Sequence, residues 1–367
     1  MNKVMRIDNY FNESLAGIFG PAQIVKAGEK PLTTSFLPTI EVTSNQNNNS
    51  EHEISICSSE IDRHTEHGDI LLLDGKGNAR VILSRTANSN TVLVTEQCDN
   101  QCLFCSQPPR KIDDSILYAF AAQAIIAFNS NDYIGITGGE PLLNKHLSLN
   151  LLKTLNHADC QSPLHILTNG RAFKDIEFTK KFKKLIEHRN VILGIPLYGT
   201  DSTTHDNLVN EHGAWEETID GLINAGNSGL AIELRIIPTK MNIEQLPSIA
   251  EMALNTLNNI VSISIMNLEQ EGWAKKNWSY VYLPPQDYSE ILIQTLALEN
   301  TYRVPINLFN YPLCQIPEPA RNHACKSISD WKATYDEECS SCLLRPDCGG
   351  FFISQKNRWT NPELRII

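Results

Sequence analysis

The 367-residue chain is short of positive charge, modest in aromatics at 7%, and has no long apolar run. Lys and Arg number 31 against 42 Asp and Glu, a net charge of −11. An acidic surface repels phosphate backbones, so nucleic acid is not the expected partner. The most apolar helical stretch, Ala119 to Phe128, is far below the roughly 20 residues that cross a bilayer, and no membrane partner is expected. The opening residues, MNKVMRIDNYFNESLAG, lack the apolar core of a signal peptide, so the expected location is cytoplasmic. What remains is ordinary for a folded globular protein: 41% hydrophobic and 20% charged residues, with 19 Gly and 18 Pro. That composition excludes a disordered tail or a collagen-like array, and the length allows two or three domains.

Against this background the ten cysteines stand out. Disulfides are rare in a reducing compartment, so clustered cysteines there more often ligate metal or do redox chemistry. Cys57 and Cys160 are isolated and read as small buried hydrophobes. The other eight fall into two groups, one a quarter of the way along and one in the C-terminal tail.

Three segments are expected: residues 1–90, of no assigned role; residues 91–300, an α/β core; and residues 301–367, a Cys-rich extension. In the first, apolar runs at 69–73 and 79–83 flank Asp74-Gly75-Lys76-Gly77, which predicts a β-hairpin. The Asn-rich stretch 44–50 reads as a loop. From Thr91 short apolar runs alternate with helical patterns. Strands are predicted at 91–95, 133–137, 164–167, 191–196, 231–237 and 261–265, with a helix over 115–128 and another after Pro141. Six strand–helix repeats predict a parallel sheet with right-handed crossovers, a partial (β/α)6 barrel of TIM-like type. Ligands of such folds sit at the C-terminal ends of the strands. The pattern breaks at about Tyr302.

The loop after the first of these strands reads Thr95-Glu-Gln-Cys98-Asp-Asn-Gln-Cys102-Leu-Phe104-Cys105, a C-x3-C-x2-C spacing. Three thiolates on one tight loop suit three irons of a 4Fe–4S cubane and leave the fourth iron open, as a catalytic site needs. A three-Cys zinc site completed by a distant His, or three reactive thiols, are the alternatives. The loop after the second strand is Thr137-Gly138-Gly139-Glu140-Pro141, whose glycines let backbone approach a ligand closely. Thr168-Asn169-Gly170 ends the third strand and also reads as a plain β-turn. Arg235 lies in the fifth strand with Glu233; its guanidinium suits a carboxylate ligand or a structural ion pair. Tyr198-Gly199-Thr200 and His205 follow the fourth, and His205 reads as a solvent-facing loop residue.

The spacing Cys98–Cys102–Cys105 followed by Gly-Gly-Glu-Pro resembles the signature of the radical S-adenosylmethionine (radical SAM) superfamily. The resemblance implies that Cys98, Cys102 and Cys105 hold a 4Fe–4S cluster whose open iron binds SAM. It further implies that Phe104 packs near the adenine and that Gly138, Gly139, Glu140 and Pro141 hold the SAM amino group. Thr168 and Asn169 are then candidates for its ribose or carboxylate, and Arg235 for its carboxylate.

The tail carries Cys314, Cys325, Cys339, Cys342 and Cys348, the last three spaced C-x2-C-x5-C. Thiolates two residues apart bind one metal or one cluster corner, and a zinc ribbon competes with an iron–sulfur cluster on spacing alone. This spacing is similar to the auxiliary-cluster regions (SPASM or the shorter twitch type) of peptide-modifying radical SAM enzymes. The full SPASM pattern would place another Cys at Phe352, so one auxiliary 4Fe–4S cluster is expected. Short strings, from Thr95 through Pro109, Gly135 through Pro141, Ile328-Ser-Asp-Trp331-Lys and Cys348-Gly-Gly-Phe-Phe352, resemble the His-Xaa-Ser system radical SAM maturases. That resemblance implies Cys314, Cys339, Cys342 and Cys348 as ligands, with Cys325 spare. It also implies a small partner protein with His-Xaa-Ser repeats as substrate, together with a second radical SAM protein and an electron donor. The single His146-Leu-Ser148 here is no repeat, so such a substrate is another polypeptide. The leading expectation is thus a radical SAM enzyme that modifies a peptide. A radical SAM enzyme acting on a small cofactor precursor, and a non-catalytic iron–sulfur or electron-transfer protein, are the alternatives. No catalytic acid or base stands out.

Overall fold

The computed structural model describes residues 9–26, 29–32, 37–43, 54–57, 59–329 and 332–355. The Asn-rich stretch 44–50, Asp330 and Trp331 lie outside them, as does the side chain of Cys57. The chain divides into two compact units, one of residues 1–96, 111–166 and 184–191, the other of residues 97–110, 167–183 and 192–367. Among the described residues no helix is long and apolar enough to cross a membrane.

The first unit opens with a four-stranded sheet of β1 (Asn9–Lys26), β2 (Thr39–Thr43), β3 (Ile54–Cys57) and β4 (Ile70–Leu83), in the order β3-β2-β1-β4. The hairpin predicted around 74–77 does not form. The run is one 14-residue strand laid antiparallel along β1, with Tyr10 opposite Ala79 and Gly20 opposite Leu73. Gly75 and Gly77 take φ of 74° and 94°, and the ladder slips register on both sides of Ala16, where β1 carries the extra residues, so β4 runs on as a continuous strand opposite a bulged β1. Leu15, Ile24, Ile40, Val42, Ile61, Leu71 and Val81 fill the core behind this sheet.

The same unit continues with parallel strands β5 (Asn90–Leu93) and β6 (Ile134–Thr137) and the beginning of β7 (Leu164–Leu167). Gly135 is required where β5 meets β6, because a Cβ there would stand 2.5 Å from Thr91 Oγ1. Helix Ile116–Phe128 is apolar nearly all round and buries Tyr118, Ala121, Ala122, Ala124, Ile125, Ala127 and Phe128. It ends where Asn129 turns left-handed. The following helix, Lys145–His157, starts four residues beyond Pro141, capped by the Asn144 side chain accepting from Leu147 N.

The second unit carries most of β8 (Val191–Pro196), then β9 (Ala231–Ile236), β10 (Ile260–Met266), β11 (Ile306–Phe309) and β12 (Ala324–Cys325), parallel and paired in that order. The six predicted strands thus stand at β5 to β10. Two more follow in the tail, where the pattern was expected to stop at Tyr302: Ile265 pairs with Leu308, and Phe309 with Cys325. Each is four residues or fewer, too short for a periodicity signal. A two-stranded antiparallel ribbon, β13 (Ala333–Thr334) with β14 (Phe351–Phe352), completes this unit.

Candidate functional site

In the second unit the loop of Cys98, Cys102 and Cys105 is fixed at nearly every residue. Gln101 N and Leu103 N donate to the carbonyls of Val209 and Leu208 at the C-terminal end of helix Ser202–Val209, both at 2.9 Å. Cys105 O accepts from Trp273 N at 2.8 Å, and Leu103 O from Asn277 Nδ2 at 2.7 Å. Gly272 makes this clasp possible: its φ is +54°, and a Cβ would stand 2.5 Å from both Cys105 O and Ser106 O. Asn100 N points at Cys98 Sγ, 3.4 Å away, and Cys105 Sγ lies 3.0 Å from Gln107 O. Burial and the neighbouring Cys105 and Cys98 thiols push the Cys102 thiol well above its usual range. Bound cations reverse that penalty, since a coordinating thiol is deprotonated outright.

The aromatic before the last cysteine is buried. Phe104 meets Tyr198 edge to face, ring centroids 4.9 Å apart, in an apolar cluster with Leu208, Val209 and Leu268 that Cys102 and Trp278 border. His205 is not the solvent-facing residue expected. It is 1% exposed, stacks on Tyr198, and its Nδ1 accepts from Tyr198 N at 3.2 Å. Burial lowers its pKa to about 4, so the imidazole is neutral. The sequence reading put it in a loop, whereas the structure places it on the buried side of helix Ser202–Val209.

Of the strand-end candidates, Asn169 reaches the thiol loop directly. Its Nδ2 donates to Asp99 Oδ1 at 2.7 Å, while Thr168 Oγ1 accepts from Gly170 N. Arg171 follows, and sequence reasoning missed it: Nη1 donates to Asp99 O at 3.0 Å and to Asn100 Oδ1 at 2.7 Å. Its place just after a strand-end turn was the available signal. Arg235 is half-buried with Nη2 2.8 Å from Met266 Sδ, and its charge is felt at Tyr198, as are Cys102 and Cys105. Its strand neighbour Glu233 accepts from Ser264 Oγ.

In the first unit, Gly138, Gly139, Glu140 and Pro141 form a tight turn on Thr95. Gly139 N donates to Thr95 O at 2.8 Å, and a Cβ on Gly138 would come within 2.6 Å of that oxygen. Pro141 O accepts from Tyr118 Oη at 2.9 Å. The Glu140 side chain is buried and accepts from Leu142 N, so it braces its own turn.

In the tail burial raises the Cys339 thiol, and the neighbouring Cys348 and Cys342 add to the rise. Cys348 Sγ accepts from Gly350 N at 3.4 Å and from Leu313 N at 3.5 Å, which brings the backbone beside Cys314 to the same place. Gly350, at φ +76°, allows this because a Cβ would meet Thr334 O at 2.8 Å. Cys325 lies in β12, where its carbonyl and Lys326 border Gly349 next to Cys348, and burial raises its thiol. Cys160, as expected, is a buried hydrophobe. Among the described residues no three His, Cys, Asp or Glu side chains converge on one ion-sized position.

Residues 92–253 match the radical SAM superfamily model. That match covers less than half of the chain and contains both the Cys98–Cys102–Cys105 loop and the Gly138–Pro141 turn. Among particular relatives, the chain is 30% identical over 191 residues to GTP 3',8-cyclase of Campylobacter jejuni subsp. jejuni serotype O:6, covering 50% of this chain and 57% of that protein. It thus spans little more than half the length of that relative. GTP 3',8-cyclase of Alkaliphilus metalliredigens is 21% identical over 280 residues, 71% of this chain and 82% of that one. The structure of native anSMEcpe with bound AdoMet and the Cp18Cys peptide has the same fold at a TM-score of 0.51 and 13% identity, covering 75% of this chain and 92% of that chain.

Proposed function

We propose that Cys98, Cys102 and Cys105 hold a 4Fe–4S cluster with SAM at its open iron, and that the chain uses it to modify an organic substrate. The observation that carries this reading is the thiol loop itself, pinned by Val209, Leu208, Trp273 and Asn277 so that three thiols are presented together, with Cys105 and Cys98 both adding to the rise of the buried Cys102 thiol. When bound and reduced, the cluster supplies one electron that cleaves SAM to methionine and a deoxyadenosyl radical. Phe104 packs by the adenine, Gly138, Gly139, Glu140 and Pro141 take the amino group, and Thr168, Asn169 and Arg235 serve its ribose and carboxylate. Cys314, Cys339, Cys342 and Cys348 hold an auxiliary cluster. The core is residues 91–300, flanked by a segment of unassigned role and the Cys-rich extension, and the protein works in the cytoplasm with a separate electron donor.

For the substrate, a small cofactor precursor is the favoured class, supported by the GTP 3',8-cyclases that match half of the chain. The second reading is maturation of a peptide with His-Xaa-Ser repeats alongside a second radical SAM protein. It is favoured by the tail thiols around Cys348-Gly-Gly-Phe-Phe352 and the strings that resemble that family. Reconstituted, reduced protein given SAM with either GTP or a His-Xaa-Ser repeat peptide separates the two by mass spectrometry. A product from the nucleotide alone supports the first reading. A mass change in the peptide alone overturns it in favour of the second.

A further inference from the structure

The arc between Cys98 and Cys102 contains only Asp99, Asn100 and Gln101, and two of these three are held by one side chain. Arg171 is 8% exposed, placed by the Gly170 turn at φ +81° that ends the strand before it. Its Nη1 donates to Asp99 O and Asn100 Oδ1, and stands 3.4 Å from Asp99 Oδ2. On the other side of the guanidinium, Nε donates to Glu217 Oε2 at 2.7 Å, and Nη2 faces Glu211 Oε1 at 4.0 Å. Asn169 completes the frame: its Oδ1 accepts from Arg171 N at 3.0 Å while its Nδ2 donates to Asp99. Glu217 is itself oriented by Lys174.

This is more than a peripheral ion pair. A buried guanidinium costs desolvation, and an isolated pair elsewhere in the fold would offset little of it. Here a rigid planar fork spans a carboxylate on one edge and a loop carbonyl and amide on the other, a geometry a lysine point charge does not reproduce. Its positive charge reaches His205, whose ring stacks on the Tyr198 that packs against Phe104 beside Cys105.

We propose that Arg171 is the positioning residue of the thiol loop: with Asn169 and Glu217 it fixes the Cys98–Cys102 arc in the conformation that takes up the cluster, and its buried charge raises that cluster's reduction potential. The inference rests on the cluster assignment made above. Outer-shell partners of this kind typically change metal affinity by about 10- to 100-fold when removed. The reduced cluster is one unit more negative than the oxidised one, so a nearby cation favours reduction, and its loss shifts the potential to more negative values.

The test compares wild type, Arg171→Gln and Arg171→Lys after anaerobic reconstitution of the full chain. It reads iron retained against a chelator series, the electron paramagnetic resonance of the reduced cluster, its reduction potential and the melting temperature. The tail cluster is removed from all three by Cys339→Ala and Cys342→Ala so that one signal is read. Arg171→Gln is expected to lose iron at about 10- to 100-fold lower chelator strength and to show a more negative potential. Arg171→Lys keeps the charge without the fork, so it should hold a near-wild-type potential but lose iron early; it also decides the question if the Gln variant does not fold. Unchanged chelator resistance and potential in the variants, with only a lower melting temperature, would overturn the proposal and leave Arg171 structural. Wild type that binds no iron at this loop would overturn the cluster assignment itself, a separate failure.

Discussion

At the scale of single residues, the chemistry-bearing side chains divide into those whose spacing is local and those held by distant partners. Cys98, Cys102, Cys105 and the Gly-Gly-Glu-Pro turn were legible because three thiols and two glycines within a few positions have few other uses. His205 and Arg171 were not, because their roles depend on contacts across 7 and 72 positions, and no local pattern encodes a fold-back of that kind. His205 gives a testable pH dependence. Its folded pKa of about 4 lies below the ordinary 6.5, held down first by burial and further by Arg171, with Asp206 opposing. Between these values the unfolded chain binds the proton that the folded imidazole refuses, so stability rises with pH through this window and is level above it. Against a His205→Gln variant, the stability advantage of wild type should shrink as pH falls from 6.5 towards 4. A difference that stays constant over that range would contradict a buried neutral histidine.

At the scale of elements, the six strands β5 to β10 were legible because each is a short apolar run bounded by turn residues, spaced by a helical segment. The hairpin at 74–77 was misread because Asp-Gly is the usual hairpin signal, yet here the positive-φ glycines sit within one continuous strand while its long partner β1 takes up the extra residues as bulges. Joining elements in the first unit depends on Asp114, which precedes helix Ile116–Phe128. Its carboxylate is 6% exposed, accepts from Thr95 Oγ1 at 2.9 Å and accepts from Glu96 N, tying the end of the β5 segment to the helix start. Asp114→Ala leaves both donors short of their acceptor and should cost about 1–3 kcal/mol. Urea titration checks this, and a midpoint equal to wild type would show that the contact does not carry the junction.

At the scale of the whole molecule, chemistry concentrates in two thiol groups, each on loops that glycines at 272 and 350 let neighbouring backbone approach closely. The tail group was legible as cysteines but not as architecture, because β11 and β12 are too short to announce that the parallel strands continue into it. The substrate is the least legible property, since neither thiol group specifies what is modified. The measurement that bears most directly on the assignment is deoxyadenosine release by reconstituted, reduced protein given SAM, compared with the Cys98→Ala, Cys102→Ala, Cys105→Ala triple variant. Release by wild type and none by the variant is expected. Wild type that carries its full iron but releases no more deoxyadenosine than the variant would contradict the radical SAM assignment of this chain.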